Sequence, residues 1–221
     1  LLRIEDKAVN MYCVNMACPL FVFVFVTAVI SFLRADHHSL FACRKFVYAE
    51  CRLTTNPKMK KLSKFEGIVH FRQRAARDCR RMGMLNIHIE INGIPMTDNI
   101  TQHGLHVHAL NDLSNGCDSL GPHFNPFNTT HGAPTDTPDL RHVGDFGNVR
   151  KNSEGKVSES RNDYLADLLG TNKIIGRGLV LHAKRDDLGL GGNDESMITG
   201  NAGKRLACCI IKETKTSSYF V

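Results

Sequence analysis

Two histidines separated by a single residue, in Gly104-Leu105-His106-Val107-His108, constrain this chain more than anything in its overall composition. Successive side chains of an extended strand point to opposite faces, so both imidazoles share one face and Val107 takes the other. Two nitrogen donors placed this way form half of a metal site. His142 and Asp145 lie three apart in Arg141-His142-Val143-Gly144-Asp145, and they converge if Gly144 turns the chain. They then supply the nitrogen and oxygen donors that a tetrahedral zinc accepts. With His123, His131 and His182 added, the pattern suffices for two metals, and any fold that serves it must gather strands and loops spread from 106 to 182. The other histidines of the eleven, His37, His38, His70, His88 and His103, have no such partner pattern and read as surface or strand positions.

Strand signals are short and separated by turns, which predicts an antiparallel all-β architecture. The clearest segments are Phe46 to Leu53, Gly67 to Gln73, Leu85 to Asn92, Gly104 to Leu110, Gly144 to Val149, Gly176 to His182 and Arg205 to Lys212. Val47, Ala49, Cys51 and Leu53 alternate onto one inward face, and Ile87, Ile89 and Ile91 onto another. A further hairpin is marked by the turn residues Asn152-Ser153-Glu154-Gly155. Asn111 to Arg141 and Ala183 to Lys204 are long segments without strand character, which a compact domain tolerates where metals or disulfides order them.

Five blocks give the chain a family. Gly104-Leu105-His106-Val107-His108, Gly121-Pro122-His123-Phe124-Asn125-Pro126, His131-Gly132-Ala133-Pro134, Arg141-His142-Val143-Gly144-Asp145-Phe146-Gly147-Asn148 and Gly200-Asn201-Ala202-Gly203-Lys204-Arg205-Leu206-Ala207-Cys208 resemble, in order, the signature blocks of copper/zinc superoxide dismutases. The resemblance implies an eight-stranded antiparallel Greek-key β-barrel or sandwich over residues 45–212, with a long metal-binding loop, an electrostatic loop and a tail at 213–221. It implies dismutation of superoxide to molecular oxygen and hydrogen peroxide. Residue by residue, it makes His106, His108, His123 and His182 the copper ligands and His123, His131, His142 and Asp145 the zinc ligands, so that His123 bridges the two ions and takes part in catalysis. Imidazole suits both metals, and a three-histidine, one-carboxylate shell suits a structural zinc. Asp186 matches the aspartate that accepts hydrogen bonds from one histidine of each set. Arg205 matches the active-site arginine, Thr199 a channel-narrowing threonine, and Cys117 with Cys208 the intrasubunit disulfide. A homodimer is the assembly that the resemblance implies.

Four positions depart from the family pattern. Glu159 and Arg161 stand where the strand register calls for apolar residues, and they pair with each other or are shifted outward by a bulge. Ile198 stands where many members carry a lysine, although Asp194 and Glu195 are in place and Lys204 lies beside Arg205. Cys209 follows Cys208 where a glycine is usual near the subunit contact. These departures keep an alternative open, a secreted copper-binding relative with attenuated or no activity. A copper chaperone with a dismutase-like domain is disfavoured, since no Met-x-Cys-x-x-Cys module precedes the barrel and the copper ligands are present.

Residues 17–33 carry no charge and read as the apolar core of a secretory signal peptide, with Met11 or Met16 as the start and cleavage near Ala35. An uncleaved anchor is the competing reading, because the run lies near the lower bound for a membrane span. Residues 1–35 are thus expected as a leader with upstream sequence, and 36–44 as a linker. The sequons Asn99-Ile100-Thr101 and Asn128-Thr129-Thr130 point the same way, to a secreted glycoprotein. Of eight cysteines, Cys13 and Cys18 fall in the leader; Cys43, Cys51, Cys79 and Cys209 have no family-assigned partner, and Cys51 reads as a small buried group on the first strand. Twelve Lys and Arg against three acids between Cys43 and Arg81 make two basic hairpins, which read either as solvated turns or as an attachment site for acidic polysaccharide. A nucleic-acid partner is not expected, since no recognition motif is present.

Overall fold

In the computed structural model, residues 46–59, 66–75, 82–95 and 99–220 are described. The expected leader, the linker, Cys43, Cys79 and several of the basic residues, including Lys60, Lys61, Lys64, Arg77, Arg80 and Arg81, lie outside the described residues. Every strand expected from the alternation is present, and so is the second strand of the hairpin marked by Asn152-Ser153-Glu154-Gly155. They are β1 (Phe46–Thr55), β2 (Glu66–Ala75), β3 (Met82–Asn92), β4 (Gln102–His108), β6 (Asp145–Arg150), β7 (Val157–Asp163), β8 (Gly178–His182) and β9 (Arg205–Ile210). They pair antiparallel in the order β6-β4-β8-β9-β1-β2-β3-β7, which curls into a nearly closed barrel.

The two long loops are less bare than the sequence suggests. The first carries a short strand β5 (Ser114–Cys117) and a single 3-10 turn at Asp118–Leu120, and the second a one-turn helix α1 (Ser196–Thr199). At the end of the chain, β9 stops at Ile210, Ile211 turns inward to full burial, and β10 (Lys212–Thr214) pairs with β1. The segment expected as a tail therefore adds a strand to the sheet. It also roofs the outer face, where the Tyr219 ring lies 3.4 Å from that of His88 and nearly parallel to it. Beneath it Glu50, His70, His88 and Ser160 stand opposite one another across β1, β2, β3 and β7.

The inward faces fill the barrel as the alternation predicts. Val47, Ala49, Cys51 and Leu53 from β1 meet Ile87, Ile89 and Ile91 from β3, together with Leu105, Val107, Val149 and Leu181. Each such aliphatic side chain, fully withdrawn from water, stabilises the fold by about 1.5–3 kcal/mol.

The polar strand β7 finds its explanation at the barrel seam. β6 and β7 end the strand order at opposite sides, and no backbone ladder joins them. Arg161 spans the gap: Nη1 donates to the Phe146 carbonyl at 2.6 Å and Nη2 to the Asn148 carbonyl at 2.8 Å, both on β6. Its Nη2 also pairs with Glu159 on its own strand. The pairing reading holds, and the side chains turn inward to close the barrel with a guanidinium in place of a ladder. Burial lowers the Arg161 pKa to about 10, which leaves it cationic at neutral pH. Replacing Arg161 with alanine leaves two strand carbonyls unsatisfied and is expected to destabilise the domain by about 2–3 kcal/mol in urea denaturation; a loss below about 0.5 kcal/mol would show that the seam does not depend on it.

Candidate metal centre

The strand β4 presents His106 and His108 on its outer face and Val107 to the core, as the His-x-His spacing requires. β8 ends on His182, and the two loops fold over this face with His123, His131, His142 and Asp145. All six histidines and the aspartate are at most 5% exposed. Gly144 is needed here for a reason other than turning the chain. A Cβ at this position would overlap the Val107 carbonyl oxygen, so the glycine lets the loop lie directly on β4, where Val107 N donates to Gly144 O at 2.9 Å.

The side chains form two sets that meet at His123. On one side, Asp145 Oδ1 lies 3.0 Å from His123 Nδ1, 3.0 Å from His131 Nδ1 and 3.1 Å from His142 Nδ1. On the other, His106, His123 and His182 gather, and His108 Nε2 stands 3.4 Å from His182 Nε2. Every ring in the second set has its remote nitrogen already committed or turned toward the first set. His108 Nδ1 donates to the Gly121 carbonyl and His182 Nδ1 to the Gly203 carbonyl. A neutral imidazole has a single N–H, so both Nε2 atoms carry lone pairs that face each other. His106 Nε2 donates to Asp186 Oδ2 at 2.9 Å, which leaves His106 Nδ1 buried and without a hydrogen-bond partner. His123 Nε2 is buried and partnerless as well.

Electrostatics keeps His108, His123 and His182 neutral. Burial, together with the neighbouring imidazoles, holds His108 and His182 well below the ordinary histidine range. Burial and the proximity of His106 lower His123 to about 3, even though Asp145 works in the other direction. His131 behaves differently. Burial would lower it, but Asp145 and Asp186 on its two sides raise it to about 9. For Asp145 burial alone would raise the pKa, and the three imidazoles around it hold it well below the usual carboxylate range.

These observations test whether the donors suit metal ions. Buried lone pairs that converge without protons are costly unless a cation sits among them. Three imidazole nitrogens with one carboxylate oxygen match a closed zinc shell, and an all-imidazole set suits copper.

Asp186 joins the sets. Its Oδ2 accepts from His106 and its Oδ1 from His131 Nε2 at 2.8 Å, which fixes which nitrogen of each ring is free. The turn that carries it is pinned by Asn148, whose Oδ1 accepts from Asp186 N and whose Nδ2 donates to Asp186 O. Gly200, in the left-handed region at φ 66°, leaves room for this carboxylate, since a Cβ there would overlap Asp186 Oδ1.

Arg205 and Thr199 both reach the mouth. Arg205 Nη1 and Nη2 donate to the carbonyls of Cys117 and Gly121, each at 2.7 Å. The guanidinium borders a cavity of about 450 Å3 with His108, His123, His182, Thr199 and Lys204. Burial lowers the Arg205 pKa. Thr199 Oγ1 donates to Glu195, and Ile198 lines the same cavity. Cys117 and Cys208 form the expected disulfide.

Sequence reasoning missed three residues. Arg141 is fully buried, and its guanidinium reaches the carbonyls of Pro134, His142 and Asp145 and the Asp163 carboxylate at 2.8 Å. It ties the loop to two donors and to the end of β7. Asn148 holds Asp186, and it stood within a recognised block without a role. His103, expected as an unremarkable strand position, is buried, and its Nδ1 donates to the His182 carbonyl at 3.0 Å. His70 and His88 are likewise on strands but buried, away from the metal centre. Periodicity carries no signal for any of these contacts.

Because Asp186 sets the free nitrogen on one ring of each set, Asp186→Ala is expected to weaken binding at both sets by about 10–100-fold, read by competition with a chelator. Unchanged affinity at either set would show that Asp186 does not orient the ring there.

The comparisons agree with this geometry. Residues 65–211 match the family described as copper/zinc superoxide dismutase (SODC). A Cu-Zn superoxide dismutase of Debaryomyces hansenii is 48% identical over 149 residues, covering 67% of this chain and 90% of its own. One from Cryptococcus neoformans var. grubii is 56% identical over 108 residues, covering 49% and 69% respectively. One from Saccharomyces cerevisiae is 52% identical over 110 residues, covering 50% and 70%. With a family match over most of its length, the chain belongs to the copper/zinc superoxide dismutase family.

Proposed function

We propose that the domain dismutes superoxide to molecular oxygen and hydrogen peroxide, with copper held by His106, His108, His123 and His182 and zinc by His123, His131, His142 and Asp145. The observation that carries this reading is the set of unprotonated nitrogens on His106, His108, His123 and His182 beside a fixed guanidinium at the mouth. When bound, copper supplies the alternating one-electron oxidation and reduction of superoxide, and zinc holds the His123 side of the site in shape. The remaining work belongs to this chain's own residues. Arg205, anchored at two carbonyls, presents positive charge and N–H donors to a small anion at low reorganisation cost. The neutral state of His108 and His182 keeps their lone pairs available. Lys204 adds exposed positive charge at the mouth, opposed by Glu195. With Glu159 and Arg161 accommodated in the seam, the motive for an attenuated binder weakens.

Secretion completes the proposal. It is supported by the uncharged run at 17–33, by two buried disulfides suited to an oxidising compartment, and by the exposure of both Asn99 and Asn128. Retention on acidic polysaccharide would draw on the basic cluster, of which Lys58 already pairs with Asp118 and Arg72 packs against Phe46 and Phe220.

Three measurements test these points. Arg205→Ile is expected to lower superoxide consumption at every salt concentration while both metals stay bound; full activity in the loaded variant would remove Arg205 from the mechanism. The wild-type rate is expected to fall with added salt, since screening acts over roughly 10 Å at 0.1 M, and to fall less steeply in Lys204→Gln. An unaltered salt slope in that variant would place steering elsewhere. Protein from its native source is expected to start after about Ala35 and to carry glycan at Asn99 or Asn128, as mass spectrometry would show; an intact, unglycosylated chain would defeat the secretory reading.

A further inference from the structure

Cys208 and Cys209 are consecutive on β9, so the pleat sends their side chains to opposite faces. Cys208 joins Cys117 in a small cluster with Leu120 and Val180 on the outer side of the sheet. Cys209 points into the barrel core and joins Cys51 from the middle of β1. The Cα–Cα separations are 5.7 Å and 5.6 Å, within the ordinary range for a bridge. All four residues are at most 6% exposed.

The place of the second bridge gives it a purpose. In the strand order, the β9–β1 junction joins β6-β4-β8-β9 to β1-β2-β3-β7. Its backbone ladder is short, with register partners only at Thr54 with Cys208 and Thr55 with Ala207. By contrast, nine residue pairs join β1 to β2. The Cys51–Cys209 bridge lies across the thin junction and closes a separation of 158 residues. The outer bridge does something else. It ties β5 to β9, and the Cys117 carbonyl at its end holds Arg205 Nη1.

We propose that Cys51–Cys209 is a second structural disulfide that clamps β1 to β9 through the core, so that the barrel stays closed when Cys117–Cys208 is reduced. Reduction of the outer bridge is then a reversible change confined to the loop beneath Arg205. In that step a small dithiol attacks one sulfur of Cys117–Cys208. Resolution of the mixed disulfide leaves Cys117 and Cys208 as thiols and the reductant as its own cyclic disulfide, with two electrons and two protons passed to the protein. The outer bridge opens first because β5 is a four-residue strand in a loop, whereas Cys51 lies within a ten-residue strand paired to β2 along almost its whole length. Exchange between the two bridges is blocked, since Cys208 and Cys209 face opposite sides of a paired strand. Only the consequence for Arg205 rests on the proposed activity; the clamp itself does not.

The test uses the full chain and readouts other than activity. Dithiothreitol is added in steps, free thiols are alkylated, and modified cysteines are mapped by mass spectrometry beside circular dichroism. Cys117 and Cys208 are expected to label first, with Cys51 and Cys209 protected and the β signal retained. A Cys117→Ser, Cys208→Ser variant, left with the core bridge alone among the described residues, is expected to lose about 10 °C in melting temperature on full reduction, the size expected for a loop this long in a domain of this size. Labelling of all four cysteines together with loss of the fold would overturn the proposal. So would free thiols at Cys51 and Cys209 in the oxidised protein, or a variant melting temperature insensitive to reductant.

Discussion

The carboxylate of Asp186 is the point on which the site turns. One oxygen accepts from His106 Nε2 and the other from His131 Nε2, so a single buried group orients a ring in each donor set and turns its Nδ1 inward. Without it, either ring could present the wrong nitrogen inward, and the convergence of lone pairs would be lost. The carboxylate can do this only because it is itself immobile. Asn148 grips its backbone from both sides, and Gly200 leaves the space that its oxygens occupy. Chemistry at the mouth therefore depends on a turn that touches no substrate.

That dependence explains why the loops are ordered by polar contacts more than by their own secondary structure. Arg141 stands at the end of the first loop and places its donors on the carbonyls of Pro134, His142 and Asp145 and on Asp163. A buried guanidinium so completely matched is stable in place, whereas removing its partner would strand a charge in the interior. Two of the carbonyls it holds belong to donors in the metal centre. Loop order and donor placement are thus one problem with one solution.

How much of this could be read from residue order follows from the range of each interaction. The His-x-His pair, the alternating inward faces of β1 and β3 and the turn residues near Asn152 are local patterns, and the structure reproduces them. The assembly of six histidines and an aspartate was legible only through the resemblance, since spacing alone brought at most two donors together. Contacts that join distant segments to backbone carbonyls left no mark: His103 to His182, Arg161 to β6, Asn148 to Asp186. Gly144 illustrates the limit well. Its importance was visible, but the reason is close approach to β4, which no local pattern encodes. The partner of Cys51 was equally hidden, because it depends on which face of β9 Cys209 presents.

The barrel is joined at two places where backbone pairing is absent or short, and side chains complete both. Between β6 and β7 the joint is a guanidinium shared between carbonyls; between β9 and β1 it is a covalent bridge beside a two-pair ladder. The second joint bears directly on the metal centre. β9 begins with Arg205 and pairs with β8, which ends with His182, so any drift of β9 away from β1 would displace the guanidinium and the His182 imidazole together. A barrel held shut at that junction keeps β8 and β9 in register beneath the donors. The stiffness of the site is then a property of the closed sheet, and the loops need only deliver the remaining donors to a face that is already fixed.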